Sequence, residues 1–311
     1  MKGAVLVTGA DLAAPACALL KDYDLVFAGK TPQTADVVAL AAKHNPLAII
    51  VRYGSVAAEV MDAAPALKVI AKHGAGTDTI DKSAAEQRGI AVLAAAGANA
   101  AAVAEHALAL LLACAKSVVQ LNDRMHAGHW DKATHKSLEL GGRTVGLVGL
   151  GAIGLRFARL CDALGMKVLG FDPFAAALPP CIEPVDLNAL WARSDVISLH
   201  CPLTPQTQRL INQQTLSACK RGVILVNTAR GGLVNEADLL AAVQSGQVGM
   251  AALDSLAVEP LAVPHIFQNA PGFILSPHIG GVSADAYLNM GLAAARNVLS
   301  VLNHQQEEQT A

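Results

Sequence analysis

Short runs rich in Val, Ile and Leu alternate with stretches of helical periodicity along the chain, and this alternation restricts the fold more than any other feature. GAVLVT (3–8), DLVFA (24–28), LAIIV (47–51), KVIA (68–71) and IAVL (90–93) read as strands, with helical patterns over 12–20 and 35–44. A second series follows: TVGLVG (144–149), KVLGF (167–171), VISL (196–199), VILVN (223–227), MAALD (250–254) and FILS (273–276). Strands alternating with helices build parallel sheets. Continuous apolar strands need helices on both faces. The expected class is therefore α/β, with two doubly wound parallel-sheet domains.

At 311 residues the chain has length for two domains. The net charge is −2 and no polybasic run occurs, so nucleic acid is not an expected partner. Hydrophobic residues reach 53 %, which raises the question of a membrane. No apolar run attains the ~20 residues of a spanning helix. The longest candidate, 100–119, is interrupted by Glu105, His106 and Lys116. Leu108, Leu111, Leu112 and Ala115 share one face of it; Ala107, Leu110, Cys114 and Val118 share the other. A helix apolar nearly all round belongs in the interior, here as an interdomain helix between two packed layers. Residues 284–302 read as a further helix, with a polar tail from Asn303 expected to fray.

The N-terminal apolar run is too short for a signal-peptide core and is followed by Gly9 and Asp11, so a cytoplasmic location is expected. Cys17, Cys114, Cys161, Cys181, Cys201 and Cys219 contain no CxxC pair and are expected as reduced thiols. His126, His129 and His135 lack a cysteine or HExxH frame, and no metal site is expected.

Residues 149–154 read GLGAIG, directly after a strand and opening a helix. In that context GxGxxG is a dinucleotide fingerprint. Gly149 allows the tight turn, Gly151 lets the backbone approach a pyrophosphate, and Gly154 lets the helix pack on the strand. The helix N-terminus offers N–H groups to the phosphates. Asp172 closes the next strand, 18 residues after Gly154, where a carboxylate accepts from both ribose hydroxyls. It would repel a 2′-phosphate, which favours NAD over NADP. The competing reading is a glycine-bearing turn that binds nothing.

In open α/β sheets ligands lie beyond the carboxyl ends of the strands. Arg230 follows VILVN, Glu259 follows MAALD, and His278 follows FILS. A guanidinium can hold a carboxylate by two parallel hydrogen bonds and polarise a neighbouring carbonyl. An imidazole can give or take a hydroxyl proton near neutral pH. A carboxylate beside it balances the charge of the proton-donating form. Each residue alone has an ordinary structural explanation. Together at one sheet edge they suit hydride transfer to a keto acid.

The runs HGAGTDTID (73–81), NAAAVAEHALALLL (99–112), TVGLVGLGAIG (144–154), SLHCPLTPQT (198–207), NTARGGLVNEADLLAAV (227–243) and SPHIGG (276–281) resemble the D-isomer-specific 2-hydroxyacid dehydrogenase family. The resemblance covers nearly the whole chain and is weakest over its first part. It implies a Rossmann-type NAD-binding domain, 100–282, inserted into a flavodoxin-like substrate domain, 1–99 with 283–311. Two crossing helices would join them. Arg230 would bind the substrate carboxylate and carbonyl, His278 would be the general acid/base, and Glu259 its orienting partner. Ala152, Ile153, Asp172, Cys201, Pro202, Thr207, Thr228, Ala229, Asp254 and Gly280 fall at cofactor-contacting positions. Gly74 and Ala75 would offer backbone N–H groups to the substrate carboxylate. Such proteins usually form homodimers through the cofactor domains. One departure is Ser255-Leu256 where the family often has Val-Phe, a change expected to touch local packing only.

Glu259 stands where formate dehydrogenases of this family use Gln, which argues against formate. Arg52, after LAIIV, and GHWDK (128–132), with Trp130 and Lys132 reaching across a dimer, resemble 3-phosphoglycerate dehydrogenases. Tyr53 and Gly54 would help shape that pocket. Hydroxypyruvate and glyoxylate reductases share most of these features and are the alternative; the expected substrate is 3-phosphoglycerate or a close 2-hydroxy acid. Some phosphoglycerate dehydrogenases add a C-terminal regulatory domain, and 311 residues lead to the expectation of a short member without it. The reading from another class is an NAD(H)-sensing corepressor-like interaction protein on the same scaffold.

Overall fold

The computed structural model describes residues 1–175 and 177–310. The chain divides into two compact units, residues 1–99 with 281–311 and residues 100–280.

In the first unit β1 (Ala4–Val7), β2 (Asp24–Phe27), β3 (Ala48–Val51), β4 (Val69–Lys72) and β5 (Ala91–Ala94) form a five-stranded parallel sheet, ordered β2-β1-β3-β4-β5. This is the flavodoxin-like order, with its switch point between β1 and β3. Side chains alternate across the sheet. Leu6, Ile49 and Ile70 pack towards α2 (Thr34–His44), α3 (Ala58–Asp62) and α4 (Lys82–Gln87). Val5, Val7 and Ile50 pack towards α1 (Ala14–Leu19) and the C-terminal helix (Ala284–Thr310), through Ala294, Ala295 and Val298. Small residues on that helix let it lie close to the sheet. Its backbone continues to Thr310, beyond the fraying expected from Asn303; the side chains of 304–310 lie outside the described residues.

The second unit begins with α5 (Ala100–Lys116) and α6 (Val118–His126). Here the structure corrects the sequence reading. The helix expected over 100–119 breaks at Ser117, whose φ of 52° is left-handed, and α6 leaves at 60°. Val118, expected on a buried face, is exposed. Among the described residues no single helix is long and apolar enough to cross a membrane. The seven-stranded sheet comprises β6 (Thr144–Val148), β7 (Lys167–Phe171), β8 (Ile182–Pro184), β9 (Val196–Leu199), β10 (Val223–Asn227), β11 (Val248–Leu253) and β12 (Phe273–Leu275). All pairings are parallel, in the order β12-β11-β10-β9-β6-β7-β8. The order reverses between β6 and β9, as in a Rossmann sheet. One face is covered by α5 and α7 (Ala152–Ala163), with Leu111, Phe157 and Ala158 in the core. The other is covered by α8 (Leu187–Arg193), α9 (Gln213–Ser217) and α10 (Glu236–Gln244), through Leu190, Leu216 and Leu239. All six cysteines are unpaired.

Candidate active site

The glycine turn lies at the switch point of the second sheet. Gly149 has φ +96°, and a Cβ there would stand 2.6 Å from the backbone of His200 and Cys201 at the end of β9. A Cβ on Gly154 would stand 2.1 Å from the Gly149 carbonyl oxygen, so α7 rests directly on the turn. Gly151 is different. It caps α7, and a Cβ there would meet no described atom within 4 Å. The room over Gly151 and the first turn of α7, with Ala152 and Ile153, is what a pyrophosphate requires.

Asp172 follows β7 beside this turn. Its carboxylate accepts from the N–H groups of Leu150 at 2.8 Å and Phe174 at 2.9 Å. Below the turn His200 is half-buried, its Nδ1 is shielded, and this desolvation pulls its imidazole down to about 4, so the ring is neutral. It shares a 3.0 Å hydrogen bond with Ser198. The neighbouring Cys201 thiol is pushed up to about 11 by burial and carries no thiolate character. Thr207 ties its own loop: its hydroxyl donates to the Pro202 carbonyl at 2.7 Å and accepts from Thr204 N–H at 2.8 Å. Thr228, just past β10, has a buried hydroxyl with no hydrogen-bond partner among the described residues. Such an atom invites a ligand or water. The open cradle at Gly151, the acid beside it and the orphan hydroxyl of Thr228 all fit a dinucleotide.

Arg230, Glu259 and His278 lie on loops following β10, β11 and β12, three neighbouring strands of the sheet. Buried Asn227 shapes the first loop: its amide donates to the Arg230 carbonyl at 2.9 Å and accepts from Ala229 N–H at 3.0 Å. Ser255 donates to the Ala229 carbonyl at 3.3 Å, so the departure from Val-Phe adds a polar tie between loops. Glu259 accepts from Leu256 N–H at 2.9 Å and lies 2.7 Å from His278 Nδ1. An ionised carboxylate only accepts, so Nδ1 carries the proton and Nε2 is left for proton exchange. His278 has φ +56°, a left-handed conformation that costs a non-glycine residue energy. Such strain concentrates at functional sites.

Asp254 holds that strained loop. It is 1 % exposed, and its carboxylate accepts from Ser276 Oγ at 2.6 Å, Ile279 N–H at 2.9 Å and Gly280 N–H at 2.8 Å. These bonds grip the chain on both sides of His278. His106 Nε2, on α5, lies 3.0 Å from Ser276 Oγ and 3.3 Å from Asp254. Ser276 spends its single proton on Asp254, so His106 must donate to Ser276. Asn227, Ser276 and His106 have no site role in the sequence reading. Asp254 and Gly280, read there as cofactor positions, bond to each other in this loop.

The remaining sequence-predicted residues lie in the first unit, beyond β3 and β4. Thr8 stitches the ends of β1 and β3: its hydroxyl donates to the Tyr53 carbonyl at 2.7 Å and accepts from Arg52 N–H at 3.0 Å. Gly54 and Gly74 have φ of +70° and +153°, which a side chain would strain. Ala75 follows in the same turn. Arg52 is ion-paired with Asp11, a partner the sequence reading did not find. His73, following β4, is pulled down to about 4, chiefly by burial and then by Arg52.

The fold is that of a dinucleotide-binding α/β protein with a Rossmann-type sheet. The family model described as "D-isomer specific 2-hydroxyacid dehydrogenase, NAD binding domain" matches residues 108–280. The chain is 41 % identical over 258 residues to D-3-phosphoglycerate dehydrogenase of Archaeoglobus fulgidus, covering 82 % of this chain and 49 % of that protein. It is 39 % identical over 249 residues to hydroxypyruvate reductase of Thermotoga maritima, covering 79 % of this chain and 81 % of that one. A solved structure from Thermus thermophilus superposes with a TM-score of 0.88 at 36 % identity, over 96 % of this chain and 97 % of that one. The chain belongs to the D-isomer-specific 2-hydroxyacid dehydrogenase family. It spans about half the length of the curated phosphoglycerate dehydrogenases it matches.

Proposed function

We propose that this chain is an NAD-dependent oxidoreductase that moves a hydride between nicotinamide and C2 of a short D-2-hydroxy acid or 2-keto acid. The observation that carries this reading is the Glu259–His278 pair, held on the strand-end edge that also bears the glycine turn. When bound, NAD supplies or accepts the hydride. Arg230 holds the substrate carboxylate through parallel hydrogen bonds and polarises the carbonyl. In reduction His278 Nε2 gives its proton to the carbonyl oxygen; in oxidation it takes that proton back. Glu259 fixes the ring by accepting from Nδ1.

The dinucleotide is held by the turn 149–154 with Asp172, and by residues following β9, β10 and β11, Thr228 first among them. The N–H groups of Gly74 and Ala75 bind the substrate carboxylate, and Arg52, Tyr53 and Gly54 shape its pocket. In this reading 1–99 with 283–311 form the substrate domain and 100–282 the cofactor domain. Both 3-phosphoglycerate and hydroxypyruvate belong to the substrate class.

The reading extends to a cytoplasmic homodimer. Its support is the surface of α6 and the following loop, where Val118, Val119, Met125 and Trp130 are exposed together and Trp130 is 74 % exposed. Arg124 pairs with Asp131 and fixes that loop. Trp130→Glu should convert the dimer to monomer in sedimentation.

The function is tested by mixing purified protein with NADH and a panel of 2-keto acids: 3-phosphohydroxypyruvate, hydroxypyruvate, glyoxylate and pyruvate. Loss of NADH absorbance with at least one supports the reading. No loss with any would favour the NAD(H)-sensing interaction protein.

A further inference from the structure

The first sheet has its own switch point, between β1 and β3, and the crevice beyond such a point is where an open α/β sheet takes its ligand. Asp11 lies beyond β1 and Arg52 directly beyond β3, so the pair occupies that crevice. We infer that the Asp11–Arg52 pair makes this pocket select a 2-keto acid whose far end is a neutral hydrogen-bond donor, such as the hydroxyl of hydroxypyruvate, over one ending in phosphate. The inference rests on the dehydrogenase reading above.

The guanidinium is committed on several sides. Its Cζ lies 5.2 Å from the ring centre of Tyr53 and 5.0 Å from that of Tyr287. Nη1 donates to the carbonyl oxygen of Asp11 at 2.6 Å and also to its carboxylate. The Arg52 side chain is only 11 % exposed, whereas that of Asp11 is 67 % exposed. The group turned outward is therefore the carboxylate.

That carboxylate stays ionised. A hydrogen bond from Tyr287 Oη, 2.9 Å long, and then one from Arg52 hold it below the usual carboxylate range. Burial and then Arg52 keep His73 neutral above about pH 4, so its ring adds no positive charge beside the pair. A phosphate dianion would meet an outward negative charge and would have to displace it to reach Arg52. A hydroxyl can simply donate to Asp11. Discrimination by a like charge is repulsive selection rather than better contact.

The test compares kcat/KM for hydroxypyruvate and 3-phosphohydroxypyruvate with NADH, in wild type, Asp11→Asn and Asp11→Ser. Wild type should favour hydroxypyruvate by about 100-fold or more, the range open to a site built around a specific polar contact. Asp11→Asn should shift the ratio towards the phosphorylated compound by roughly tenfold, mainly through its KM. Asp11→Ser should shift it the same way. Wild-type preference for 3-phosphohydroxypyruvate, or an unchanged ratio in a variant with a wild-type melting profile, would overturn the inference and leave the dehydrogenase reading intact. Turnover with no 2-keto acid would overturn both. If neither variant folds, the wild-type ratio decides alone.

Discussion

His278 Nδ1–H donates to Glu259 Oε2 over 2.7 Å, and this bond decides which ring nitrogen can serve a substrate. The carboxylate takes the proton-bearing Nδ1 and turns Nε2 outward. His278→Ala should lower kcat by roughly 10²–10⁴-fold, the usual contribution of a positioned acid/base. NADH affinity, read by fluorescence titration, should stay unchanged. Glu259→Gln can accept from His278 Nδ1–H through its amide oxygen only by giving up the bond from Leu256 N–H, and it loses the charge. Its kcat should fall about tenfold, with little change in KM. Wild-type kcat in His278→Ala would assign the proton transfer to another group.

The glycines of the turn separate folding from binding. A side chain at Gly154 meets the Gly149 carbonyl at 2.1 Å, while one at Gly151 enters open space. Gly154→Ala should therefore be destabilised, by about 1–3 kcal/mol for an overpacked contact. Gly151→Val should melt like wild type yet bind NADH at least about tenfold more weakly, because its branch fills the cradle of the pyrophosphate. Paired melting curves and NADH titrations check both. Equal NADH affinity in Gly151→Val would move the cofactor away from this turn.

The sheet was legible in the sequence because both of its faces are covered. β7, β9 and β10 run as expected over 167–171, 196–199 and 223–227, where uninterrupted apolar runs carry the signal. The edge strand β8, Ile182–Pro184, was not legible, since a short edge strand with exposed Glu183 has no such run. The break at Ser117 was hidden by the apolar residues on both sides of it. The positions of Arg230, Glu259 and His278 after three neighbouring strands were legible. Their supports were not. Asp11 meets Arg52 across 41 residues, and His106 meets Ser276 across 170. Only the tertiary fold brings such pairs together, and no local periodicity encodes them.

The Asp254 clamp should matter to rate as well as to stability. Ser276→Ala removes one donor from a buried carboxylate and the acceptor of His106, a loss of about 1–3 kcal/mol in urea unfolding. Because the clamp orients the His278 loop, kcat should fall while NADH affinity holds. His106→Gln retains a donor towards Ser276 and should keep more activity than His106→Ala. Equal activity in the two would reduce His106 to packing.

Two desolvated histidines set an acid limit. His200 and His73 both sit at about 4 in the folded chain, against an ordinary 6.5. Between those values the unfolded state binds more protons, so stability is full above pH 6.5 and falls as the pH drops towards 4. Each contributes a loss of roughly 3 kcal/mol across that window. Urea unfolding at a series of pH values should show the decline, and His200→Gln should make it shallower. A flat profile would mean that the two rings are solvated.

The proposed reaction is hydride transfer to C2 with one handedness. Hydroxypyruvate incubated with NADH dideuterated at nicotinamide C4 tests it directly, through the mass and configuration of the product. The expected product is D-glycerate with one deuterium at C2. Product without deuterium, or L-glycerate, would contradict it.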